Sequence, residues 1–420
     1  MPGNSVSSPS LDQVIAGRID PSAIDLQEQA TIAAVCRDVV RQKHEQISAH
    51  ASSGHGRIAR KKQNELIRSL APRLLAAQFA LRKINKRRLI HHRRNTVSFN
   101  AVWHLAERLA RNLNAPSYAI ARLKRKHNGF REVCAFEAFD IARQKLVTMS
   151  ITPFVRPLSS QFALRGGRSA ASEALLKALI DALEDAKIIH VDINDFYGSI
   201  SHGWLEENLP LSAAIIQSVI LMHNGHICRW HLGLAHQHDE GTEGMGRWGI
   251  PQGSVASPIV AEFVMANVLR GVADLHYGLS YFNYSDNLAI LVRGDLDEVA
   301  FMERLRGVFQ THPAGPFQIR TVGSFPISRP FPFLGYRFQK IANGSRAFIP
   351  ERAAFLREMN YERDLLEAET FTKLLKVEHS LRSYCAAFSL WAGAADMQRR
   401  LLQVGDRQRR HLRLSVPITP

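Results

Sequence analysis

An aspartate near the middle of the chain has the surroundings of a catalytic or metal-binding carboxylate. In "AKIIHVDINDFYGSIS", residues 186–201, an apolar run predicts a buried strand that ends at Asp192, and Asp195 follows shortly after it. A carboxylate at the end of a buried strand costs free energy unless it is paired or binds a metal ion. An aspartate can also cap a following helix, as is plausible for Asp195, so the segment alone leaves both interpretations open.

A second aspartate stands in a predicted hairpin further along the chain. In "YFNYSDNLAILVRG", residues 281–294, two apolar runs flank Ser285-Asp286-Asn287, a pattern typical of two strands joined by a tight turn. A hairpin has no structural need of a carboxylate at its tip, so the pattern leaves the role of Asp286 open. Asn287 is either a turn residue or the occupant of a position where a second carboxylate belongs.

A turn rich in glycine and proline separates these two segments. It opens "WGIPQGSVASPIVAEFVMANVL", residues 248–269, where Pro258 begins a predicted apolar helix. Gly253 lets a flat group approach the backbone closely, and Gln252 offers an amide at that place. Taken alone, the motif also fits a simple loop before a helix.

The elements that must position these residues are helices, then a mixed region, then helices again. Residues 1–30 are rich in Ser and Pro and predict a loose segment, whereas the periodicity from about 30 to 115 is helical. Short strands with an Asn-Gly bend follow, and helices then alternate with strands to about residue 350. The tail from residue 351 is helical and basic. This order predicts an α+β fold with helical flanks.

The composition is that of a globular protein with an excess of positive charge. Lys and Arg number 54 against 38 Asp and Glu, which favours a polyanionic partner such as nucleic acid. A generally basic protein without such a partner is the alternative. The four cysteines are far apart, no apolar run has the length of a membrane span, and the start lacks a signal peptide. We therefore expect a cytoplasmic protein with no membrane partner.

Three segments, in their order along the chain, resemble motifs A, B and C of reverse transcriptases: the strand that ends at Asp192, the "GIPQGSVASP" turn and the "YSDN" hairpin. Neighbouring segments are similar to group II intron and related bacterial members. "PFVRPLSSQFALRGGRSAASEAL" resembles the segment before the palm, "FPFLGYRF" the primer-grip hairpin, and "SLRSYCAAFSLWAG" the helical thumb. The resemblance covers about residues 95–400.

The resemblance implies a right-hand polymerase with fingers, a palm built on an antiparallel sheet, and a helical thumb, preceded by a helical N-terminal extension. The predicted divisions are a partly flexible extension over residues 1–59, fingers over 60–187, palm over 188–345 and thumb over 346–420.

The family's reaction is template-directed nucleotidyl transfer by two metal ions, and the resemblance assigns roles to residues of this chain. Asp192 and Asp286 would hold Mg²⁺ or Mn²⁺, with the carbonyl of Ile193 as a further ligand. Tyr197 matches an aromatic gate that excludes a 2′-hydroxyl, so dNTPs are preferred to NTPs. The other residues matched to the incoming dNTP are Asp195, Gln252, Arg131 and Lys124, with Lys126 as a helper. Those matched to template or primer are Arg165, Arg168, Phe333, Leu334 and Gly335.

Two positions depart from the family pattern. Most members have two adjacent aspartates in motif C, whereas this chain has Asp286-Asn287, and an Asn amide is a weak, uncharged metal ligand. Because the first aspartate is the principal ligand in the family, we expect activity to survive with an altered metal preference. The lysine expected after motif C is not evident, and Arg320 or Arg329 stands in that region instead.

Three further segments carry charge or histidines that the motifs do not explain. Residues 83–95 form a basic block, which we interpret as a phosphate-binding surface for template or primer through Lys86, Arg87, Arg88, Arg93 and Arg94. "NAVWH" fits a string of retron reverse transcriptases, but its place upstream of motif A favours an ordinary amphipathic helix. Residues 223–241 hold five histidines and a cysteine in a spacing that fits no structural zinc pattern. Metal binding, a ribose- or phosphate-contacting loop and plain surface remain open for that segment.

We therefore expect an RNA-directed DNA polymerase whose partners are an RNA template and a DNA product. The lack of an HNH-type Cys/His cluster after the thumb is typical of stand-alone members, many of which serve antiphage defence with a noncoding RNA. Protein-primed or template-independent synthesis by the same site is one alternative. A catalytically weakened, maturase-like RNA-binding protein is another, and a protein partner or a homo-oligomer is compatible with each.

Overall fold

The computed structural model describes residues 20–88, 97–126, 129–223, 225–230, 249–275 and 279–414. The N-terminal part is helical: α1 (Leu26–Ser52), α2 (Gly56–Arg68), α3 (Leu70–Arg88) and α4 (Phe99–Arg111). The mixed region follows, with β1 (Tyr118–Lys126), β2 (Gly129–Phe136), α5 (Ala138–Ile151), α6 (Gly167–Asp181), β3 (Lys187–Asn194), α7 (His202–Asn208), β4 (His226–Trp230), α8 (Ser257–Ala273), β5 (Ser280–Tyr284), β6 (Asn287–Val292), α9 (Glu298–Thr311), β7 (Gln318–Pro326), β8 (Phe331–Phe333), β9 (Tyr336–Ile341) and β10 (Gly344–Phe348). The C-terminal helices are α10 (Glu351–Leu366), α11 (Phe371–Ala387) and α12 (Gly393–Leu414). The predicted α+β fold with helical flanks is confirmed.

An antiparallel sheet of four strands lies at the centre, in the order β5-β6-β3-β7. β5 and β6 form the predicted hairpin, and β3 lies between β6 and β7. The register pairs Asp192 of β3 with Asn287 of β6 on one side and with Arg320 of β7 on the other. The polar ends of these strands therefore meet at one end of the sheet.

The sheet separates two hydrophobic cores because successive side chains of a strand point to opposite faces. On β3, Ile189, Val191 and Ile193 belong to the larger core, which helices α5 and α8 also line. Ile188 of the same strand belongs to the second core, with residues of α6 and β8–β9. His190 and Asp192 alternate with Ile193, so they lie on the face of the second core. Asp192 thus stands near the end of a strand that is fixed by packing on both faces.

The N-terminal helices form a layer that packs on α5. A capping box between Asp25 and Glu28 begins α1, and the Gln63 amide of α2 donates to the carbonyl of Ser150 at 3.0 Å. α1 contacts both α2 and α3. The predicted division after residue 59 therefore falls inside α2, and the helices on its two sides share one layer.

A smaller sheet, in the order β2-β1-β4, lies beside this layer. β1 and β2 form an antiparallel hairpin as the Asn-Gly bend predicted, whereas β4 joins β1 in parallel. The loop before β1 is held by Arg143, which is fully buried and donates to the carbonyls of Leu113, Ala115 and Pro116 and to Asp140. This clamp fixes the base of the hairpin against α5.

The strands β8, β9 and β10 form a third sheet, which packs on α6. The predicted divisions place α6 in the fingers, whereas in the structure this helix packs against β5, β9 and β10. Helices α10–α12 pack on one another around Leu374, Leu381 and Met397. No helix among the residues described has both the length and the apolar character needed to cross a membrane.

Candidate active site

Asp192 is partly exposed at the end of β3 and is paired with a guanidinium. Arg320 Nη2 lies 3.0 Å from Asp192 Oδ2, and the side chains are 60% and 25% exposed respectively. Because an ion pair at this exposure contributes only about 0–1 kcal/mol, a divalent cation can displace it from the carboxylate. Arg320 is one of the two arginines in the region where the family pattern has a lysine, and it forms an ion pair with the Asp192 carboxylate.

Asp286 lies in the turn between β5 and β6, beside the end of β3. Its carbonyl accepts a hydrogen bond from Ile193 N at 2.9 Å, and its Oδ1 accepts one from Asn287 Nδ2 at 3.0 Å. Asn287 Oδ1 faces His190 Nε2 at 3.4 Å. In this arrangement Asn287 turns its amide nitrogen toward the carboxylate and its oxygen toward the histidine. Asn287 therefore donates a hydrogen bond that positions the Asp286 side chain, whereas its residue type suggested a weak metal ligand.

The turn that carries Asp286 is held by buried polar side chains. The amide of Asn283, which is fully buried, donates to the carbonyls of Ser285 and Asn287 at 3.0 and 3.2 Å. Glu262 of α8, 2% exposed, accepts from the backbone N–H of Ser285 and from Gln161 Nε2 at 3.1 Å. These bonds stabilise the left-handed backbone of Ser285, whose φ is 57°. The position of the carboxylate is thus determined by groups on three separate segments.

We expect the ionisation of Glu262 to lower the free energy of unfolding as the pH rises. Burial raises the pKa of its carboxyl from 4.5 to about 7, against the opposing effect of the hydrogen bonds from Gln161 and Ser285. The folded state favours the protonated carboxyl of Glu262, and this preference contributes to the free energy of unfolding. The contribution is complete below about pH 4.5 and is lost as the pH rises through about 7. Glu262→Gln removes the titration, so the free energy of unfolding of the variant relative to wild type should rise by on the order of 3 kcal/mol between pH 4.5 and 8. Denaturant unfolding at a series of pH values measures this difference, and parallel profiles for the two proteins would contradict it.

Tyr197 and the glycine-proline turn pack beside the hairpin. Burial raises the pKa of the Tyr197 hydroxyl, while its hydrogen bond to Ser285 acts in the opposite direction. The carbonyl of Tyr197 accepts from Ile250 N at 2.8 Å, which joins the segment after Asp192 to this turn. On the other side of the turn, Cys134 N of β2 donates to the carbonyl of Gln252 at 2.7 Å. The turn therefore connects Tyr197 with the β1–β2 hairpin.

The other residues matched to the dNTP lie on the two elements around this turn. Lys124 and Arg131 are cross-strand partners on β1 and β2, and both are exposed. Asp195 lies in an exposed turn with φ of 41°. It is not a helix cap, since Ser201 caps α7. Its carbonyl accepts from both the backbone N–H and the hydroxyl of Ser199 at 3.0 Å.

The residues matched to template or primer lie in two groups. Leu334 and Gly335 form the tight turn between β8 and β9, with φ of 48° and 86°. The Arg168 guanidinium lies 5.0 Å from the centre of the Phe388 ring. A Cβ on Gly335 would lie 3.0 Å from the same ring, so Arg168 and Gly335 both lie beside Phe388. The Phe333 side chain is 1% exposed and packs in the second core, so it supports the turn from inside the protein. Arg165 is exposed and donates to the carbonyl of Leu158 at 2.9 Å.

The basic block is only partly within the described chain. Lys86, Arg87 and Arg88 end α3, where the backbone alone is described, and Arg93 and Arg94 lie outside the described residues. "NAVWH" lies within α4, which Ser98 caps, with Val102 and Ala106 buried. Of the histidine segment, residues 231–241 lie outside the described residues. Within the described part of the chain, no group of three or more His, Cys, Asp or Glu side chains is placed to hold a metal ion.

The sequence interpretation missed the polar residues beneath the turn: Gln161, His190, Glu262 and Asn283. A signal was present in two of them, because Glu262 is a single acid in an apolar helix and His190 interrupts an apolar strand. Their partners were not predictable, because Gln161 and Glu262 are 101 positions apart in the chain.

This geometry defines the palm of a right-hand polymerase: an antiparallel sheet packed against helices, with carboxylates near the ends of adjacent strands. The family described as "Reverse transcriptase (RNA-dependent DNA polymerase)" matches residues 123–337, slightly more than half of the chain. The chain belongs to the reverse transcriptase family, a family of nucleotidyltransferases, which confirms the predicted resemblance at the level of reverse transcriptases as a whole.

One solved structure with a similar chain is described as apo telomerase from Candida Tropicalis truncated from the C-terminal domain. The similarity has a TM-score of 0.39 and 12% identity, and it covers 55% of this chain and 55% of that one. No curated protein matches the chain.

Proposed function

We propose that the protein is an RNA-directed DNA polymerase that adds dNTPs to the 3′-hydroxyl of a primer. The observation that carries this proposal is the strand register, which places Asp192 opposite Asn287 and therefore beside Asp286. The two aspartates, far apart in the sequence, thus meet at the exposed end of a rigid sheet. A binding protein has no need of paired carboxylates on a surface that approaches a polyanion.

The donor set at this place suits Mg²⁺ or Mn²⁺. Both ions prefer hard oxygen ligands, and Asp192, Asp286 and the carbonyl of Ile193 supply oxygens alone. When bound, two such ions would activate the primer hydroxyl and neutralise the charge of the triphosphate. Asn287 keeps Asp286 oriented by hydrogen bonding, and Arg320 balances the charge of Asp192. Asn287 brings no negative charge, which supports a weaker metal affinity than two adjacent aspartates would have.

The nucleotide would lie over the hairpin β1–β2 and the turn at Gln252, which are hydrogen-bonded to each other. Lys124 and Arg131 present adjacent cations from neighbouring strands, which suits a triphosphate. Tyr197 is held by Ser285 next to the catalytic turn, where its ring would exclude a 2′-hydroxyl. The turn of Leu334 and Gly335, with Arg168 beside it, would support the primer.

Primer extension tests this proposal together with the sugar selectivity of Tyr197. We expect incorporation of dNTPs on an RNA template with Mg²⁺ or Mn²⁺, and a preference for dNTPs over NTPs that falls by about tenfold to a hundredfold in Tyr197→Ala. Tyr197→Phe is the matched control, because it keeps the ring and should keep the selectivity. If wild type incorporates no dNTP on any template tested, the polymerase proposal fails. Unchanged selectivity in Tyr197→Ala would contradict the gate alone.

One observation favours a second candidate, a catalytically weakened, maturase-like RNA-binding protein. Both carboxylates are engaged by protein groups, Asp192 by Arg320 and Asp286 by Asn287. Protein-primed or template-independent synthesis would use the same residues and differs only in the primer or the template. Copurified nucleic acid, identified by sequencing, and primer extension together separate these cases. A dedicated RNA with dNTP incorporation supports templated synthesis, a dedicated RNA without incorporation supports the RNA-binding protein, and incorporation without a dedicated RNA supports protein-primed or template-independent synthesis.

We also propose a biological setting, for which the motif resemblance is the support. A cytoplasmic polymerase of the bacterial type, working on a noncoding RNA in antiphage defence, fits the motifs quoted above. A protein partner or a second copy of the chain is compatible with this setting.

A further inference from the structure

One face of α2 is a stripe of cations that faces outward from the N-terminal helical layer. α2 contains the basic residues Arg57, Arg60, Lys61, Lys62 and Arg68 against one acid, Glu65. Arg57, Lys61 and Arg68 follow one another at intervals of one and two helical turns, so they line a single stripe about 16 Å long. The opposite face is buried, through Ala59, Leu66 and Ile67. The helix is therefore held firmly, with its basic stripe exposed.

Two adjoining grooves run along this stripe. The first, of about 520 Å³, is lined by residues of α2 from Arg57 to Arg68. The second, of about 560 Å³, shares Asn64 and Arg68 with the first and continues to Arg111, Asn112, Asn114 and Ser212. Together these residues form one trough, which we call the α2 trough. It lies on elements other than β3, β5 and β6, so it is distinct from the catalytic end of the sheet.

The cations of the α2 trough are not neutralised by the protein around them. Arg57, Arg60, Lys61 and Arg68 are exposed, and none has an ion-pair partner within the described part of the chain. Arg111 approaches Glu107 only at 4.0 Å. Many other surface arginines of the chain are paired, such as Arg41, Arg293 and Arg399. Unpaired guanidinium groups along one line raise the local positive potential and favour an extended polyanion.

We propose that the α2 trough binds the phosphodiester backbone of RNA at a second site, separate from the catalytic one. The proposal rests on the proposed function only in naming RNA as the polyanion. Guanidinium groups suit phosphate oxygens. The exposed amides of Asn64, Asn112 and Asn114 and the hydroxyl of Ser212 can both donate and accept, which suits 2′-hydroxyl groups. This chemistry favours RNA over DNA and over an acidic protein segment.

A charge-removal experiment on the whole chain tests the proposal. The triple variant Arg57→Gln, Lys61→Gln, Arg68→Gln should bind a single-stranded RNA on the order of tenfold more weakly at physiological salt, and the slope of log K against log[salt] should fall by about 2. The matched control is Arg270→Gln, Arg304→Gln, Arg306→Gln, which removes the same charge from α8 and α9. All six side chains are exposed, so folding should persist, as thermal unfolding would verify.

Three outcomes would overturn the proposal: unchanged RNA binding in the α2 variant, an equal loss of RNA binding in the control variant, or a loss of polyglutamate binding at least as large as the loss of RNA binding. DNA of the same sequence should lose less affinity than RNA, and an equal loss would contradict the preference of the trough for RNA over DNA. Incorporation on a short primer–template is measured on the same preparations and should remain within about twofold of wild type. A chain that binds RNA through the trough without incorporating dNTPs would contradict the proposed function and leave the trough intact.

Discussion

Replacing Asp286 with Asn is expected to reduce dNTP incorporation by on the order of a thousandfold or more, because the change removes a charge that metal-assisted phosphoryl chemistry needs. Asp286 lies beside Asp192 through the β3–β6 register. The amide is nearly isosteric, so the hydrogen bond between the Asp286 carbonyl and Ile193 N, 2.9 Å long, should persist. Single-nucleotide extension measures the loss, and we expect the same result for Asp192→Asn.

Two companion variants show whether such a loss comes from the metal site. Asp295→Asn removes an acid that is 68% exposed and forms a surface ion pair with Arg293, so activity should stay within about twofold of wild type. Asn287→Asp restores a second carboxylate, and the Mg²⁺ concentration for half-maximal incorporation should fall. Activity of Asp286→Asn within a few fold of wild type would contradict the assignment of Asp286 as a catalytic residue.

Replacing Gly253 with Ala is the second large expected effect, and it acts through the backbone. Gly253 has φ of 108°, and a Cβ there would lie 2.2 Å from the carbonyl oxygen of Cys134. Because that oxygen belongs to β2, no flexible side chain can move to make room. We expect a loss of about 2–4 kcal/mol in the free energy of unfolding, from the unfavourable φ together with the overlap. The neighbouring Gln252 carbonyl, which accepts from Cys134 N at 2.7 Å, would shift.

The rate of dNTP incorporation by Gly253→Ala should also fall, by on the order of a hundredfold, because a displacement of about 1 Å at a positioning element has an effect of that size. Gly54→Ala is the matched control. Gly54 also has a positive φ, 78°, but a Cβ there meets nothing within 4 Å. It should therefore lose about 1–2 kcal/mol of stability and no activity. Equal effects of the two substitutions would mean that the contact with Cys134 is unimportant. Denaturant unfolding and primer extension provide the two measurements.

Much of the site was predictable because its chemistry depends on residue types at strand ends and turns. The hairpin around Asp286, the strand that carries Asp192 and the turn before Pro258 lie where the pattern of apolar and turn residues predicts them, although that strand continues past Asp192 to Asn194. The alternation of side chains along β3 likewise separates Ile189 and Val191 from His190 and Asp192. These features are local, so the sequence contains them.

The supporting polar groups were not predictable in the same way. Glu262 and His190 stand out as polar residues in apolar runs, but nothing local indicates that one holds the Ser285 N–H and the other faces Asn287. The role of Asn287 is a similar case. Its type suggested a weakened metal ligand, whereas its contacts make it a donor to Asp286.

The sequence by itself determined the family, the order of the helical and mixed regions, and the two aspartates on which catalysis would depend. The order of the regions requires only residue types and periodicity, whereas the family and the roles of the two aspartates follow from the resemblance of the quoted motifs to those of reverse transcriptases. The tertiary structure alone decided the strand register that brings Asp192 beside Asp286, the pairing of Asp192 with Arg320, and the joining of α2 with the loop after α4 into one basic trough. The physical reason is that register and packing depend on the summed fit of segments far apart in the chain, which no local pattern encodes.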